Sequence, residues 1–263
     1  MALPYDSGVA NYLSPTYHSR IKHDGTWRWV DQLSVKSGGS WRTVKQAYVK
    51  SGGTWRKFHD AENVFTFNVV LDGTRTSTFN LGTWLSNSGY VSPSLGRTYN
   101  NGDRIKGIIH VTGTQGGNPG VYIGNFGNES RVYIRINSNC RIAGYGGNGG
   151  NIDASGQSAG TALYTRTGVF IENNGNLWGG GGGAGVPVGA GRQGGSNGSY
   201  NSGGNGGSGN GCGSNAGGKG GNPGQDATGG NQGSNGNSGY YIDGASYVYS
   251  WVSTGDRRGR SGN

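Results

Sequence analysis

Residues 169–183 read Val-Phe-Ile-Glu-Asn-Asn-Gly-Asn-Leu-Trp-Gly-Gly-Gly-Gly-Gly, and their order is the most informative feature of the sequence for the fold. It begins with β-branched and aromatic residues typical of a strand, continues with an Asn-Gly pair typical of a turn, and ends in an unbroken glycine run. The same order occurs earlier, where 132–139 leads through 140–144 into another glycine block. This repetition predicts that strands pass directly into ordered glycine-rich segments.

The glycine blocks from residue 144 onward often read Gly-Gly-X, which is a period of three. Three residues per turn is the period of the polyproline II-type helix, which forms no hydrogen bonds within itself. Because glycine has no Cβ, such helices can approach closely and satisfy their backbone groups by bonding to one another. We therefore expect 144–239 to form a packed bundle of polyglycine II helices. The alternative is a disordered Gly/Asn/Ser linker, which Tyr145 and Trp178, within or beside the glycine blocks, disfavour.

The composition excludes several other classes of protein. Glycine supplies 59 of 263 residues, whereas hydrophobic residues make up 31% and charged residues 13%. No apolar run is long enough to span a membrane, and we expect no signal peptide because 1–11 lack a basic region and an apolar region. The six prolines and the irregular glycine pattern exclude collagen. Cys140 and Cys212 allow at most one disulfide, and the sequence leaves open whether it forms.

Three copies of a repeat with a 14-residue period lie near the N-terminus, aligned on Trp27, Trp41 and Trp55. Each copy has Lys, Gly, Trp and Arg at fixed offsets, as in the Val-Lys-Ser-Gly-Gly-Ser-Trp-Arg of 35–42. The pattern predicts a strand, a glycine turn and a second strand. A unit this short cannot bury a core alone, so the copies pack either on one another around the tryptophans or on a partner. Threefold repetition in one chain favours docking to a trimer.

Together these patterns predict an all-β or irregular fold with essentially no α-helix, because glycine interrupts every helical period. We expect a tandem β-repeat attachment domain at 1–60 and a β-rich middle domain at 61–143. A glycine-rich polyglycine II domain would follow at 144–252, and a basic tail at 253–263.

The phrase at 169–183, the Gly-Thr-Ala-Leu-Tyr of 160–164 and the later glycine blocks resemble the motifs of bacteriophage glycine-rich receptor-recognition proteins. They are most similar to the distal tail-fibre adhesins of T-even-type phages. The resemblance covers about 130–263, and 1–60 only in general plan. It implies a monomeric adhesin at the tip of the virion's tail fibre, which caps a trimeric fibre protein and contains a sandwich of polyglycine II helices. Loops between the glycine motifs would bind an outer-membrane protein or a surface glycan of the host.

Chemical variety between the glycine blocks predicts where a receptor would be contacted. The segments 186–202 and 225–243, with a smaller share from 151–160, carry aromatic and polar side chains that suit recognition from a rigid scaffold. The predicted receptor-binding residues are Val186, Pro187, Val188, Arg192, Tyr200, Tyr240 and Tyr241. The predicted fibre-attachment residues are Trp27, Trp41, Trp55, Arg28, Arg42 and Arg56.

Other functions have less support in the sequence. The four histidines lack metal-ligand spacing and no nucleophile elbow occurs, so we expect no enzyme activity, no metal and no cofactor. The net charge is +9, but 144–256 lacks a basic stripe, which disfavours nucleic-acid binding. Two alternatives stay open: a purely structural tail or baseplate protein, which would share the same folding logic, and a glycine-rich ice-binding protein, which would need a flat face of regular small side chains.

Overall fold

The structure is a computed structural model that describes residues 20–23, 26–29, 34–44, 46–60, 64–93, 95–127, 130–150, 155–184, 199, 201, 220–228 and 234–263. Its first part consists of three antiparallel β-hairpins, one for each copy of the repeat. The strands of the hairpins are β1 (Arg20–His23), β2 (Thr26–Trp29), β3 (Ser34–Ser37), β4 (Ser40–Thr43), β5 (Gln46–Ser51) and β6 (Thr54–Asp60).

From Val64 onward the described chain is a three-sided solenoid, in which each of five turns adds one strand to each of three parallel sheets. The first sheet contains β7 (Val64–Leu71), β10 (Arg104–Val111), β13 (Arg131–Ile136), β16 (Gly168–Asn173) and β19 (Val248–Ser253). The second contains β8 (Thr74–Arg75), β11 (Thr114–Gly117), β14 (Arg141–Gly144), β17 (Asn176–Trp178) and β20 (Asp256–Arg258). The third contains β9 (Phe79–Asn80), β12 (Val121–Gly124), β15 (Leu163–Thr165), β18 (Tyr240–Asp243) and β21 (Arg260–Gly262).

The alternation of buried and partly exposed residues shows which side chains face the interior of the solenoid. Every second residue of β10 is buried, as expected for a strand with one face on the core. Ile134 lies opposite Ile109 in the preceding turn and Ile171 in the following one, and all three are fully buried. The in-register pairing therefore stacks apolar side chains turn upon turn, and one hydrophobic cluster joins all three sheets.

The one α-helix among the described residues, α1 (Leu81–Asn87), covers the core at turn 1. The side chain of Asn80 caps it by accepting a hydrogen bond from Thr83 N–H (3.1 Å), and Leu81 and Leu85 are buried against the core. The predicted all-β character is confirmed. This helix has no clear sequence signal, because it is only two helical turns long and contains Gly82 near its start.

Both long glycine-rich insertions leave the solenoid at the corner between the second and third sheets. In turn 3 residues 145–162 connect β14 to β15, and in turn 4 residues 179–239 connect β17 to β18, whereas in turn 5 the same corner is Gly259 alone. The predicted boundaries at 143 and 253 lie inside turns 3 and 5, because strands on both sides of each belong to the same sheets. The predicted middle domain, glycine-rich domain and basic tail thus contribute strands to one solenoid.

Candidate attachment and receptor-binding surfaces

The hairpins β3–β4 and β5–β6 are built around paired glycines with left-handed backbone. Gly38 and Gly39 have φ of 58° and 81°, and Gly52 and Gly53 have φ of 57° and 80°. Positive φ at both central residues is the requirement of the type I′ turn, whose twist matches that of the flanking strands. The predicted order of strand, glycine turn and strand is therefore present in these copies.

Two of the hairpins display their tryptophans on the surface. Trp41 is 72% exposed and Trp55 66% exposed, so neither fills the centre of a self-packed repeat. Trp41 lies opposite Lys36, and Trp55 opposite Lys50. The repeat thus presents an indole beside an ammonium group in each of these two copies.

The other predicted attachment residues are Arg42, Trp27, Arg28 and Arg56. Arg42 is exposed and lies opposite Val35. The backbones of Trp27, Arg28 and Arg56 lie in strands β2 and β6, while their side chains fall outside the described part of the structure.

The run 179–184 is buried, and among the described residues of the glycine-rich insertions it is hydrogen-bonded to four neighbouring segments. These neighbours are 145–150, 155–160, 220–225 and 234–239, and the bonds to each recur at intervals of three residues. With the N–H donor named first, the bonds are Gly180–Gly160 (3.0 Å), Gly183–Gln157 (2.9 Å), Gly239–Gly180 (2.9 Å), Gly236–Gly183 (2.7 Å), Gly147–Gly181 (2.9 Å), Gly150–Ala184 (2.8 Å), Gly224–Gly179 (2.8 Å) and Gly221–Gly182 (2.9 Å).

The segments approach so closely that side chains are excluded between them. A Cβ built on Gly181 would lie 2.0 Å from the carbonyl oxygen of Gly221, and one built on Gly147 would lie 1.8 Å from that of Gln157. Both distances are far below any tolerated contact, and the obstructing atoms belong to backbone. Glycine is therefore required at these positions because a Cβ would clash with neighbouring backbone, and not because the backbone has a positive φ.

A carboxylate joins two of the glycine-rich segments. Asp226 accepts a hydrogen bond from Ser238 N–H, and Arg260 of β21 donates to the carbonyl oxygen of Ser238 (Nε to O, 3.0 Å). Hydrogen bonds from the backbone and then the side chain of Ser238 lower the pKa of Asp226 and outweigh the opposing effect of burial, and the charge of Arg260 adds the smallest lowering. The arrangement ties 220–228 to 234–239 and both to the last turn of the solenoid.

A second polar cluster connects turns 3 and 4 on the outer face of the first sheet. Glu172 accepts from the Tyr133 hydroxyl (2.7 Å) and from Arg135 Nε (2.6 Å). Burial opposes ionisation of Glu172, but bonds from Tyr133, Arg135 and Asn174 outweigh it and lower the pKa of the carboxyl. Burial, and then the bond to Glu172, raises the pKa of Tyr133. These bonds clamp β13 to β16.

The predicted receptor-binding residues fall into two groups. Tyr240 and Tyr241 lie in strand β18 and are half-buried, so they belong to the solenoid wall rather than to a loop. Arg260 lies over the ring of Tyr240 at 5.3 Å. The remaining residues lie outside the described part of the structure: Val186, Pro187, Val188, Arg192 and Tyr200.

A cluster of one arginine and two aromatic side chains at the last turn of the solenoid was not predicted from the sequence. There Arg257 lies over Trp251, 4.5 Å from the ring centroid, and over Tyr241 at 5.6 Å. In the sequence, Asp72-Gly73 and Thr254-Gly255 each place a turn residue and a glycine directly after a strand. This shared ending could have identified 248–253 as one more strand of the series.

Three further observations concern other kinds of site. No group of three or more His, Cys, Asp or Glu side chains suited to a metal occurs within the described ranges. Cys140 carries a free thiol, and Cys212 lies outside those ranges. Within the same ranges, no helix has the length and apolar character to cross a membrane.

The family model of the phage tail fibre adhesin Gp38 matches residues 65–262. That match spans most of the chain, so the chain belongs to the Gp38 family of phage tail fibre adhesins, and the resemblance seen in the sequence is confirmed. The match includes the solenoid with both of its insertions, whereas the hairpins precede it.

Among solved structures, the chain is similar to the crystal structure of the gp37-gp38 adhesin tip complex of the bacteriophage S16 long tail fiber. The identity is 20%, the alignment covers 76% of this chain and 82% of that chain, and the TM-score is 0.48. A search among curated proteins found no match.

Proposed function

We propose that this protein is the tip adhesin of a phage tail fibre, attached to the fibre by its N-terminal repeats and to the host cell by its glycine-rich insertions. The observation that carries the proposal is the adhesin family match over 65–262. In this proposal the protein has no catalytic activity, needs no cofactor, and acts at the end of the virion's fibre.

We infer further that the glycine-rich insertions form a bundle of polyglycine II helices. Support comes from the three-residue spacing of the bonds between segments, which equals the period of that helix. The close backbone contacts at Gly147 and Gly181 also favour it, because only side-chain-free faces permit them.

The receptor contact in this proposal lies in the segments between glycine blocks, chiefly 186–202 and 225–243, with a smaller share from 151–160. A backbone-held bundle offers an almost side-chain-free flank, so recognition falls to the loops that it holds in place. Tyr240 and Tyr241 would contribute from the solenoid wall at the base of the second loop. The receptor is an outer-membrane protein or a surface glycan.

The proposed fibre contact is made by the hairpins, at one adhesin per three fibre subunits. The exposed indoles of Trp41 and Trp55 support it, because large exposed aromatic side chains are typical anchors of protein interfaces. Mass measurement of an intact fibre tip tests the ratio. A tip with three copies of this chain would refute the capping arrangement.

Exchange of 186–202 for the matching loop of a related adhesin tests the receptor assignment. We expect altered binding to host cells while the fibre still retains the adhesin. A purely structural tail protein is the second candidate, and for it no loop exchange would affect adsorption.

A further inference from the structure

The two ends of the solenoid differ in whether described residues cover their edge strands. At turn 1 the chain covers its own end: Trp84 and Tyr90, from α1 and the segment after it, pack on the core, and the backbone N–H of Thr66 in β7 donates to Ser92 Oγ (2.8 Å). At turn 5 the strands β19, β20 and β21 are each the last in their sheet, and no described residue pairs with their outer edges.

The three open edges also differ from one another. Strands β20 and β21 have three residues each and carry arginines, and short, charged edge strands resist pairing with other chains. Strand β19 reads Val-Tyr-Ser-Trp-Val-Ser, with no charge, proline or glycine. Its Tyr249 is 55% and its Val252 38% exposed. Apart from two bulges in its pairing with β16, β19 has none of the usual protections of an edge strand among the residues that the structure describes.

An arginine lies beside this edge. The guanidinium of Arg257 stacks over Trp251 of β19 and over Tyr241, whose rings meet edge to face with centroids 6.3 Å apart. Arg257 itself is exposed, and no described acidic group pairs with it. Stacking on aromatic faces leaves the N–H groups of a guanidinium directed outward, where they can bind a carboxylate.

We propose that the outer edge of β19 is a second binding site, which receives an extended acidic segment of a partner protein by β-strand addition. The backbone of β19 supplies the hydrogen bonds, Tyr249 and Val252 supply apolar contact, and Arg257 binds a carboxylate of the incoming strand. A second copy of this chain is a poor occupant, because turn 5 carries Arg257, Arg258 and Arg260 against Asp256 alone, and two such ends repel. The site shares Tyr241 with the proposed receptor surface, but strands β19 and β20, which supply the edge and Arg257, lie outside the glycine-rich insertions and outside the hairpins.

A labelled peptide of about eight alternating valine and glutamate residues is the probe, measured by fluorescence anisotropy with the full chain. Two peptides serve as comparisons: the same sequence with alternate backbone nitrogens methylated, and one with lysine in place of glutamate. We expect binding of the first peptide, no binding of the methylated one, and affinity lower by about ten-fold or more for the lysine peptide.

Val252→Lys should block the edge and weaken binding by about ten-fold or more. Val70→Lys is the matched control, since Val70 is similarly exposed on β7, the edge strand that the chain covers itself, and this variant should bind as the wild type does. Arg257→Gln should reduce the preference for glutamate over lysine.

Equal binding of the methylated and unmethylated peptides, or equal loss in the two valine variants, contradicts the proposal. A dimer in light scattering that disappears in Val252→Lys would instead assign the edge to a second copy. Because the test involves neither cells nor fibre, its failure leaves the adhesin proposal untouched.

Discussion

The solenoid and the hydrogen-bonded glycine-rich segments exclude water from their interiors in different ways. These segments, hereafter the glycine bundle, are 145–150, 155–160, 179–184, 220–225 and 234–239. Inside the solenoid, side chains such as Ile109, Ile134 and Ile171 stack between turns, and removal of apolar area from water stabilises them. Inside the bundle, backbones such as 179–184 touch directly, and hydrogen bonds replace side-chain contacts. Each bond contributes only about 1 kcal/mol net, while ordering glycine costs more backbone entropy than ordering any other residue.

The difference suggests that the bundle depends on the solenoid. Strands β14 and β15 fix the two ends of 145–162, and β17 and β18, one turn later, fix the ends of 179–239. Fixed ends reduce the entropy that the insertions lose when they pack. The solenoid, by contrast, has a side-chain core of its own. Substitutions in the two regions should therefore have different consequences.

The largest effect is expected from a side chain placed inside the bundle. Gly181→Val should lower the stability of the glycine bundle by about 4 kcal/mol or more, because even its Cβ would lie 2.0 Å from the Gly221 carbonyl oxygen. Gly147→Val should behave similarly. Thermal and denaturant unfolding of the purified variants measure the effect.

Gly82→Ala is the matched control for Gly181→Ala. In α1 the added Cβ would meet its nearest neighbour, Asn80 Oδ1, at an ordinary 3.4 Å, and alanine is favoured over glycine in a helix by up to about 1 kcal/mol. We expect Gly82→Ala to be neutral or stabilising while Gly181→Ala is strongly destabilising. Similar stability of the two variants would mean that the backbones in the bundle are not closely packed.

The sequence indicated two units of the solenoid but not its full extent. The phrases at 132–144 and 169–178 were recognised as the same unit, and they are strands β13–β14 and β16–β17 of successive turns. What could not be inferred from them is that 64–71, 104–111 and 248–253 stack in the same sheet. Their side chains share apolar alternation rather than identity, and insertions of different length separate them.

Part of the candidate site could be predicted and part could not. The repeat at Trp41 and Trp55 predicted the hairpins, because glycine pairs specify the turn directly. Tyr240 and Tyr241 were expected in a loop because they follow glycine blocks, yet pairing with β15 and β21 places them in a strand. Such long-range pairing leaves no local signal.

A cavity in the solenoid should give the next largest effect. Ile134→Ala should cost about 2–5 kcal/mol, since the side chain is fully buried between two other isoleucines. We expect the bundle to lose its order together with the solenoid in this variant, since the solenoid fixes the ends of the insertions. Circular dichroism and amide exchange, followed along the same denaturant series, show whether the bundle and the solenoid lose their structure together. A bundle that survives loss of the solenoid would contradict the dependence proposed above.

A smaller effect is expected from the carboxylate that joins two glycine-rich segments. Asp226→Asn should cost about 1 kcal/mol at neutral pH, a value discounted for the exposure of the side chain. Because folding lowers the pKa of Asp226, its contribution is present above the ordinary aspartate pKa of about 3.9 and is lost as the pH falls through the lowered value. The stabilities of wild type and variant should therefore converge in acid. A constant difference from neutral pH to strong acid would assign the effect to packing.

The smallest effect on stability is expected in the hairpins. Trp41→Ala should change the free energy of unfolding by less than about 0.5 kcal/mol, because the side chain is 72% exposed. The same substitution should weaken attachment to the fibre. Val35→Ala, on the same hairpin and 51% exposed, is a control for general surface changes. Strong destabilisation by Trp41→Ala would place the indole in a core after all.

Amide hydrogen exchange of the wild-type chain reports whether the glycine-rich insertions form an ordered, backbone-bonded bundle. The amides of Gly147, Gly180, Gly183, Gly236 and Gly239 each donate to a backbone carbonyl of another segment. We predict that they exchange slowly, with protection comparable to that of the solenoid strands β13 and β16. Exchange of these amides at the rate of an unstructured peptide, beside protected solenoid strands, would contradict the account.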